Sequence, residues 1–137
     1  MPLREEDLSS DMKVLIDTAT WINHFFHKDE SVQMLLTRKR VVGHPYVIGE
    51  LILGSNRSLD FAIEEMRKLP QIPVATSKEV FTLIEEQKLS GKGIGLVDVY
   101  LLAGCLIDGS TQLLTDDKRL AKVASELGIG FFGNGID

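Results

Sequence analysis

Lys13 to Ile16 is a short apolar run that ends at Asp17, and from Thr18 to Phe26 the bulky residues Trp21, Ile22, Phe25 and Phe26 recur at helical spacing. A strand followed by a helix is predicted. Asp29 to Thr37 repeats the helical pattern, with Val32, Leu35 and Leu36 on one side and Arg38, Lys39 and Arg40 at its end, where the macrodipole favours cations. Val41 and Val42 predict a second strand. Pro45 opens an apolar helix through Leu53, closed by Gly54. Ser58 is placed to cap a helix to Leu69, whose Leu59, Ala62, Ile63 and Met66 keep the 3–4 spacing, and Ile72 to Val74 reads as a third strand.

Ser77 and Val80 begin a further helix to about Leu89, and the loop Gly91-Lys92-Gly93-Ile94-Gly95 separates it from the apolar helix Leu96 to Ile107. Gln112 to Thr115 predicts a fourth strand. Asp117 to Leu127 then forms a helix with Leu120, Val123, Ala124 and Leu127 on one face, capped by Gly128 before the brief apolar run Ile129 to Phe132. Strands and helices alternate throughout, which predicts one α/β domain: a parallel sheet of four to five strands with helices on both faces. Such a fold builds ligand sites at the carboxyl ends of its strands.

Composition changes this picture little. The chain has 137 residues, 44% hydrophobic and 26% charged, which excludes a disordered tail, a collagen and a coiled coil. Its single cysteine, Cys105, supports neither an intrachain disulfide nor a Cys-rich zinc site, so a cytoplasmic protein is expected. The opening MPLREEDLSS has no apolar core of a signal peptide, and Asp98 interrupts the longest apolar stretch, so no membrane association is expected.

Charge needs closer reading, because a net of −5 argues against a nucleic-acid partner. Residues 1–11 hold one Arg and four acids, which leaves 14 basic and 16 acidic residues in the remainder. If four of those acids gather in one metal site, the rest of the surface is mildly basic. Overall acidity therefore does not exclude a phosphate-bearing substrate.

Four places put acids where a site would form. Asp17 follows the first strand directly, and Asp116 and Asp117 follow the fourth. A lone Asp there is most often only the N-cap of the next helix. Asp98 shares a helical face with Leu101, Leu102 and Cys105, and Glu50 stands in the middle of the apolar Val47 to Leu53; an unpaired carboxylate on a buried face is costly. A buried ion pair is the plain reading of each, yet no Arg or Lys lies within helical reach of Asp98, and only Lys92 could arrive from the loop. Several carboxylates without matching cations call for a divalent ion, and all-oxygen ligands suit magnesium or manganese rather than zinc. His24 and His27 lack acidic or Cys co-ligands, and the Gly91 to Gly95 loop lacks phosphate-loop spacing.

Four segments together, Val14-Leu15-Ile16-Asp17-Thr18, Ile48-Gly49-Glu50-Leu51 with Gly54, Gly93-Ile94-Gly95-Leu96-Val97-Asp98, and Leu114-Thr115-Asp116-Asp117-Lys118-Arg119-Leu120, resemble the PIN-domain ribonucleases, specifically the VapC-like toxins of toxin–antitoxin pairs. The likeness spans Met12 to about Phe132; residues 1–11 read as an N-terminal extension and 12–137 as the PIN domain, a three-layer sandwich. It implies that Asp17, Glu50, Asp98 and Asp117 bind one or two Mg²⁺ or Mn²⁺ ions at the carboxyl edge of the sheet. Thr115 stands as the family's hydroxyl residue, and Asp116 fills the variable place between Thr115 and Asp117, giving two adjacent acids. Leu120 replaces a frequent Phe.

The resemblance implies metal-assisted hydrolysis of RNA phosphodiesters, leaving 5′-phosphate and 3′-hydroxyl ends, with tRNA, rRNA or mRNA as substrate. Lys92, Arg38, Lys39, Arg40 and Lys118 are candidates for RNA phosphate contacts. Implied partners are a cognate antitoxin and a second copy in a homodimer, or a toxin–antitoxin hetero-oligomer. Trp21, Phe25 and Phe26 form an aromatic stripe too large to be wholly buried under one short helix, and so available to an antitoxin. A catalytically silent PIN-like scaffold that binds RNA or a partner, and a DNA nuclease of the same fold, are the alternatives.

Overall fold

The computed structural model describes residues 12–54 and 57–131. Its elements run β1 (Lys13–Ile16), α1 (Thr18–His27), α2 (Glu30–Thr37), β2 (Val41–Val42), α3 (Pro45–Gly54), a 3-10 turn (Arg57–Leu59), α4 (Asp60–Arg67), α5 (Ser77–Glu86), α6 (Leu96–Asp108), β3 (Thr111–Leu114) and α7 (Lys118–Glu126). The expected N-terminal extension, residues 1–11, lies outside the described residues, as do 132–137.

The sheet is parallel, in the order β2-β1-β3. Val14, Leu15 and Ile16 in its central strand are all fully buried. Successive strand residues point to opposite faces, so helices must cover both, and this is the continuous apolar run of an enclosed parallel strand. Around the sheet α1 packs on α3, α3 on α4, α5 on α6, and α6 and α7 on β3. The fully buried Leu35, Leu101, Leu102, Leu113 and Leu120 join these layers into one core. None of the described helices is long and apolar enough to cross a membrane.

Four to five strands are expected and three form. Ile72 to Val74 is not a strand: pairing there is reduced to a single bridge between Gln71 and Gly43, with Gly43 N–H donating to Pro70 O and Ile72 N–H to Gly43 O. The next bond of this ladder would need an N–H at Pro45, which has none and already opens α3, so pairing stops at Ile72. On the other edge, a single bridge joins Leu113 to Gly130. The outer two places of the sheet are thus occupied by one-residue contacts rather than strands.

Local signals explain most helix starts. Asp17, Asp29 and Asp117 are side-chain N-caps of α1, α2 and α7, and Thr76 forms a capping box with Glu79 at α5. Ser58 does not cap α4: it falls inside the 3-10 turn, and the helix begins at Asp60, behind Leu59, without a side-chain cap.

Candidate active site

Ile16 pairs with Leu114, and the next N–H, that of Asp17, donates to Leu114 O at 3.3 Å. This register brings Asp17, at the end of the central strand, beside Thr115, at the end of β3. Since β1 has its two partners on opposite sides, the crevice beyond its carboxyl end is the switch point where α/β sheets place ligands.

Asp17 is buried and held on both oxygens. Oδ1 accepts from Thr20 N–H at 3.1 Å, and Oδ2 accepts from the Thr115 hydroxyl at 2.6 Å. The same Thr115 oxygen accepts the N–H of Asp117 at 3.0 Å, so one hydroxyl joins the ends of two strands. Asp117 turns its Oδ1 onto the N–H groups of Arg119 and Leu120, capping α7. Asp116 is tied differently, through its N–H to Thr20 Oγ1 at 3.0 Å.

Asp98 and Glu50 correct the sequence picture in detail. Asp98 is not sealed among Leu101, Leu102 and Cys105; it lies half-buried in the first turn of α6, and its Oδ2 accepts from Gly95 N–H at 3.0 Å. Glu50 is exposed rather than buried, and its Oε1 accepts from the Thr18 hydroxyl at 2.5 Å. Among the described residues no Lys or Arg forms an ion pair with Asp17, Glu50, Asp98 or Asp117, and Lys92 does not reach Asp98.

The electrostatics tie the four together. Burial pushes the Asp98 carboxyl above the usual carboxylate range; the Gly95 N–H pulls it back, and the charges of Asp17, Asp117 and Glu50 each push it up again. Asp116 is also raised, by burial and by the charges of Asp29 and Asp17. Asp98 therefore feels Asp117 and not Asp116: the two adjacent acids leave the strand in different directions. The N-termini of α1, α6 and α7 meet at this crevice, and their dipoles offset part of the repulsion.

The donor set suits a hard divalent cation: it is all carboxylate and hydroxyl oxygen, carries excess negative charge, and offers no thiolate. Asp98 Oδ1, Asp117 Oδ2 and Glu50 Oε2 accept no hydrogen bond among the described residues. As placed, no three Asp, Glu, His or Cys side chains among the described residues close around one point. Each acid accepts instead from a nearby N–H or hydroxyl.

The expected RNA contacts divide between the two edges of the sheet. Lys92, in the loop before α6, and Lys118, directly after Asp117, are exposed on the side of the acids. Arg38, Lys39 and Arg40 precede β2 and so stand at the amino edge, away from the site. Arg40 is buried there, its Nε donating to Met12 O at 2.7 Å and its guanidinium 5.6 Å from the Phe131 ring centre, and its work is structural. His24, whose Nδ1 accepts from Asp29 N–H at 3.0 Å, joins α1 to α2.

Thr18, Thr20 and Arg119 are site neighbours that sequence reasoning overlooks. The signal for the threonines is positional: hydroxyls one and three residues after a strand-end acid lie in the first turn of the helix that acid caps, at the rim of the crevice.

Residues 14–126 match the family model of the PIN domain. Ribonuclease VapC32 of Mycobacterium tuberculosis, in strains CDC 1551 / Oshkosh and ATCC 25618 / H37Rv, is 38% identical over 116 residues, covering 85% of this chain and 94% of that protein. The matched stretch encloses Asp17, Glu50, Asp98, Thr115 and Asp117, and the chain belongs to the PIN-domain family.

Proposed function

We propose that this chain is a metal-dependent endoribonuclease, the toxin of a toxin–antitoxin pair, with Asp17, Glu50, Asp98 and Asp117 as its metal-binding acids and Mg²⁺ or Mn²⁺ as the ion. The observation that carries the reading is the gathering of Asp17, Asp98, Asp117 and Glu50 at the carboxyl edge of the sheet, with no Lys or Arg among the described residues ion-paired to any of them. Repulsion within such a group is tolerated where a divalent ion relieves it. Two relatives named as ribonucleases over almost their whole length support the choice of RNA.

When bound, the cation supplies Lewis-acid polarisation of the scissile phosphate and of the attacking water. The protein does the positioning. Thr115 and the Thr20 N–H fix both oxygens of Asp17, Thr18 steadies Glu50, and the first turns of α6 and α7 hold Asp98 and Asp117 through one oxygen each, which leaves the other oxygen of Glu50, Asp98 and Asp117 available to a cation. Asp116 serves at most as an outer neighbour.

A family antitoxin is the partner, and α1 offers it a hold. Of the aromatic stripe, Trp21 is buried and Phe25 half-buried in a stack at 5.6 Å, whereas Phe26 is 61% exposed with Ile22 one turn away. A partner helix covering Phe26 and Ile22 would bury the apolar surface that α1 leaves exposed. The domain begins at Met12 on this reading, and a chain started there is expected to fold and cut as the full chain does.

Purified protein assayed on total RNA and on DNA, with Mn²⁺ and with excess chelator, tests the proposal. RNA cleavage that leaves 5′-phosphate and 3′-hydroxyl ends and stops in chelator is expected. Full activity in chelator overturns the metal assignment, cutting of DNA alone overturns the substrate, and binding without cutting makes the chain a scaffold. Growth arrest on expression, relieved by co-expressing the neighbouring gene, is expected of the toxin.

A further inference from the structure

The loop Gly91-Lys92-Gly93-Ile94-Gly95 has a use that its sequence conceals. Two of its N–H groups serve the fold, that of Lys92 donating to Leu89 O and that of Gly95 to Asp98. Gly91 and Gly93 both adopt positive φ, +78° and +79°, which favours glycine at either place. Only Gly93 has a second constraint. A Cβ there would lie 2.6 Å from Arg119 Cδ, 3.0 Å from its Nη1 and 3.2 Å from its Nε, whereas a Cβ at Gly91 would meet nothing within 4 Å. The bare face of Gly93 is the seat of the Arg119 side chain.

Arg119 is fixed at its other end as well. Its backbone N–H donates to Asp117 Oδ1 at 2.9 Å, so the residue reaches from the acid that caps α7 to the loop that leads into Asp98. The side chain is exposed, and none of its N–H groups has a hydrogen bond or ion pair with a side chain among the described residues. Nor does it relieve Asp98, whose carboxyl is perturbed by burial, Gly95 and the other three acids. A guanidinium resting over Gly93, between two acid-bearing elements and paired with neither among the described residues, retains its full capacity for an anion.

We propose that Arg119, seated on Gly93, binds a backbone phosphate of the RNA strand next to the one being cut, and so sets where the strand lies across the acids. The inference rests on the ribonuclease reading above. It assigns to Arg119 a contact with substrate, and to Gly93 the role of a positioning residue that leaves room for it.

Arg119→Gln and Arg119→Lys test it, since both keep the backbone N–H to Asp117. Binding of a fluorescein-labelled, mixed-sequence single-stranded RNA is followed by anisotropy between about 50 and 300 mM salt, in an Asp98→Asn background that leaves the RNA uncut. One lost phosphate contact lowers the slope of log K against log salt by about 0.7, so Arg119→Gln should show that drop with affinity down about 5–10-fold at low salt. Arg119→Lys should keep the slope and lose only part of the affinity. In the cutting-competent protein the Gln variant should lose activity chiefly through KM, with an unchanged melting temperature. A parent that cuts RNA while Arg119→Gln keeps its slope and KM overturns the Arg119 assignment alone. A parent that cuts no RNA overturns the ribonuclease reading itself.

Discussion

Thr115 Oγ1 lies 2.6 Å from Asp17 Oδ2, a contact between residues 98 apart in sequence that joins the carboxyl ends of β1 and β3. The same oxygen receives the Asp117 N–H, so one hydroxyl sets the spacing of two acids. Asp17 is buried, and a buried carboxylate oxygen stripped of its donor bears the cost of desolvation.

Replacing Thr115 by Val, nearly the same shape without the hydroxyl, should therefore reduce cleavage by about 10–100-fold and raise the metal concentration needed for half-activity, as loss of partners behind a metal ligand does. Thr115→Ser should retain most activity. A Val variant with parental rates and an unaltered metal titration would show that the contact orders nothing of consequence.

Asp98 illustrates the conflict between site and fold. Its folded pKa is raised, so ionisation costs the folded state: the penalty is absent below the ordinary carboxylate range, grows as pH climbs through it, and is complete above the folded value. Asp98→Asn keeps an acceptor for Gly95 N–H and removes the charge. In chelator at pH 7 it should melt no lower than the parent, because the cost of ionising Asp98 is gone. Cleavage should fall to background. Thermal melts across pH, with the RNA assay alongside, check both halves; undiminished cutting by this variant would remove Asp98 from the site.

The strand-end acids and the helical periodicities could be read from the chain because each rests on local chemistry: Leu113-Leu114-Thr115 must be an enclosed strand, and whatever follows it must emerge at its carboxyl end. The same rule places residues that precede a strand at the opposite edge, which is why Arg38, Lys39 and Arg40 fall away from the site. What local pattern does not carry is long-range fit. Nothing near Glu50 reveals that Thr18 meets it, and nothing near Arg119 reveals the bare face of Gly93. The Ile72 to Val74 run has strand composition, but the segment it pairs with turns into α3 at Pro45, which has no N–H for Ile72 O.

His44 gives the fold an acid-side weakness. It is fully buried at the start of α3, its Nδ1 accepts from Tyr46 N–H at 3.0 Å, and burial pushes its pKa from 6.5 down to about 4. The unfolded chain takes up a proton near 6.5 that the folded one refuses, so stability is full above that pH and drains as pH falls towards 4, at about 1.4 kcal/mol per unit for one proton. His44→Asn keeps the acceptor for Tyr46 and should be less stable at pH 7.5, because it leaves a cavity, yet show a flatter decline between pH 6.5 and 4. Denaturant titrations of both proteins at four or five pH values measure the difference in slope; parallel curves would mean His44 does not titrate on unfolding.

Asp116 and Asp117 allow the sharpest comparison, because they differ by one position and share composition, strand and exposure. Asp117 contributes to the raised pKa of Asp98, caps α7 and sends its own N–H to Thr115; Asp116 instead feels Asp29 and Asp17 and engages Thr20 only through its backbone. Asp117→Ala should lose cleavage by about 10²-fold or more, as expected for a group that stabilises charge at the reacting phosphate, while Asp116→Ala should stay within about threefold of the parent. Loss of the N-cap in Asp117→Ala also costs about 1 kcal/mol of stability, so the comparison includes Asp117→Asn, which preserves the cap and still removes the charge. If Asn at 117 cuts at the parental rate, the defect of the Ala variant is one of helix capping; equal losses at 116 and 117 would mean that both acids serve the ion.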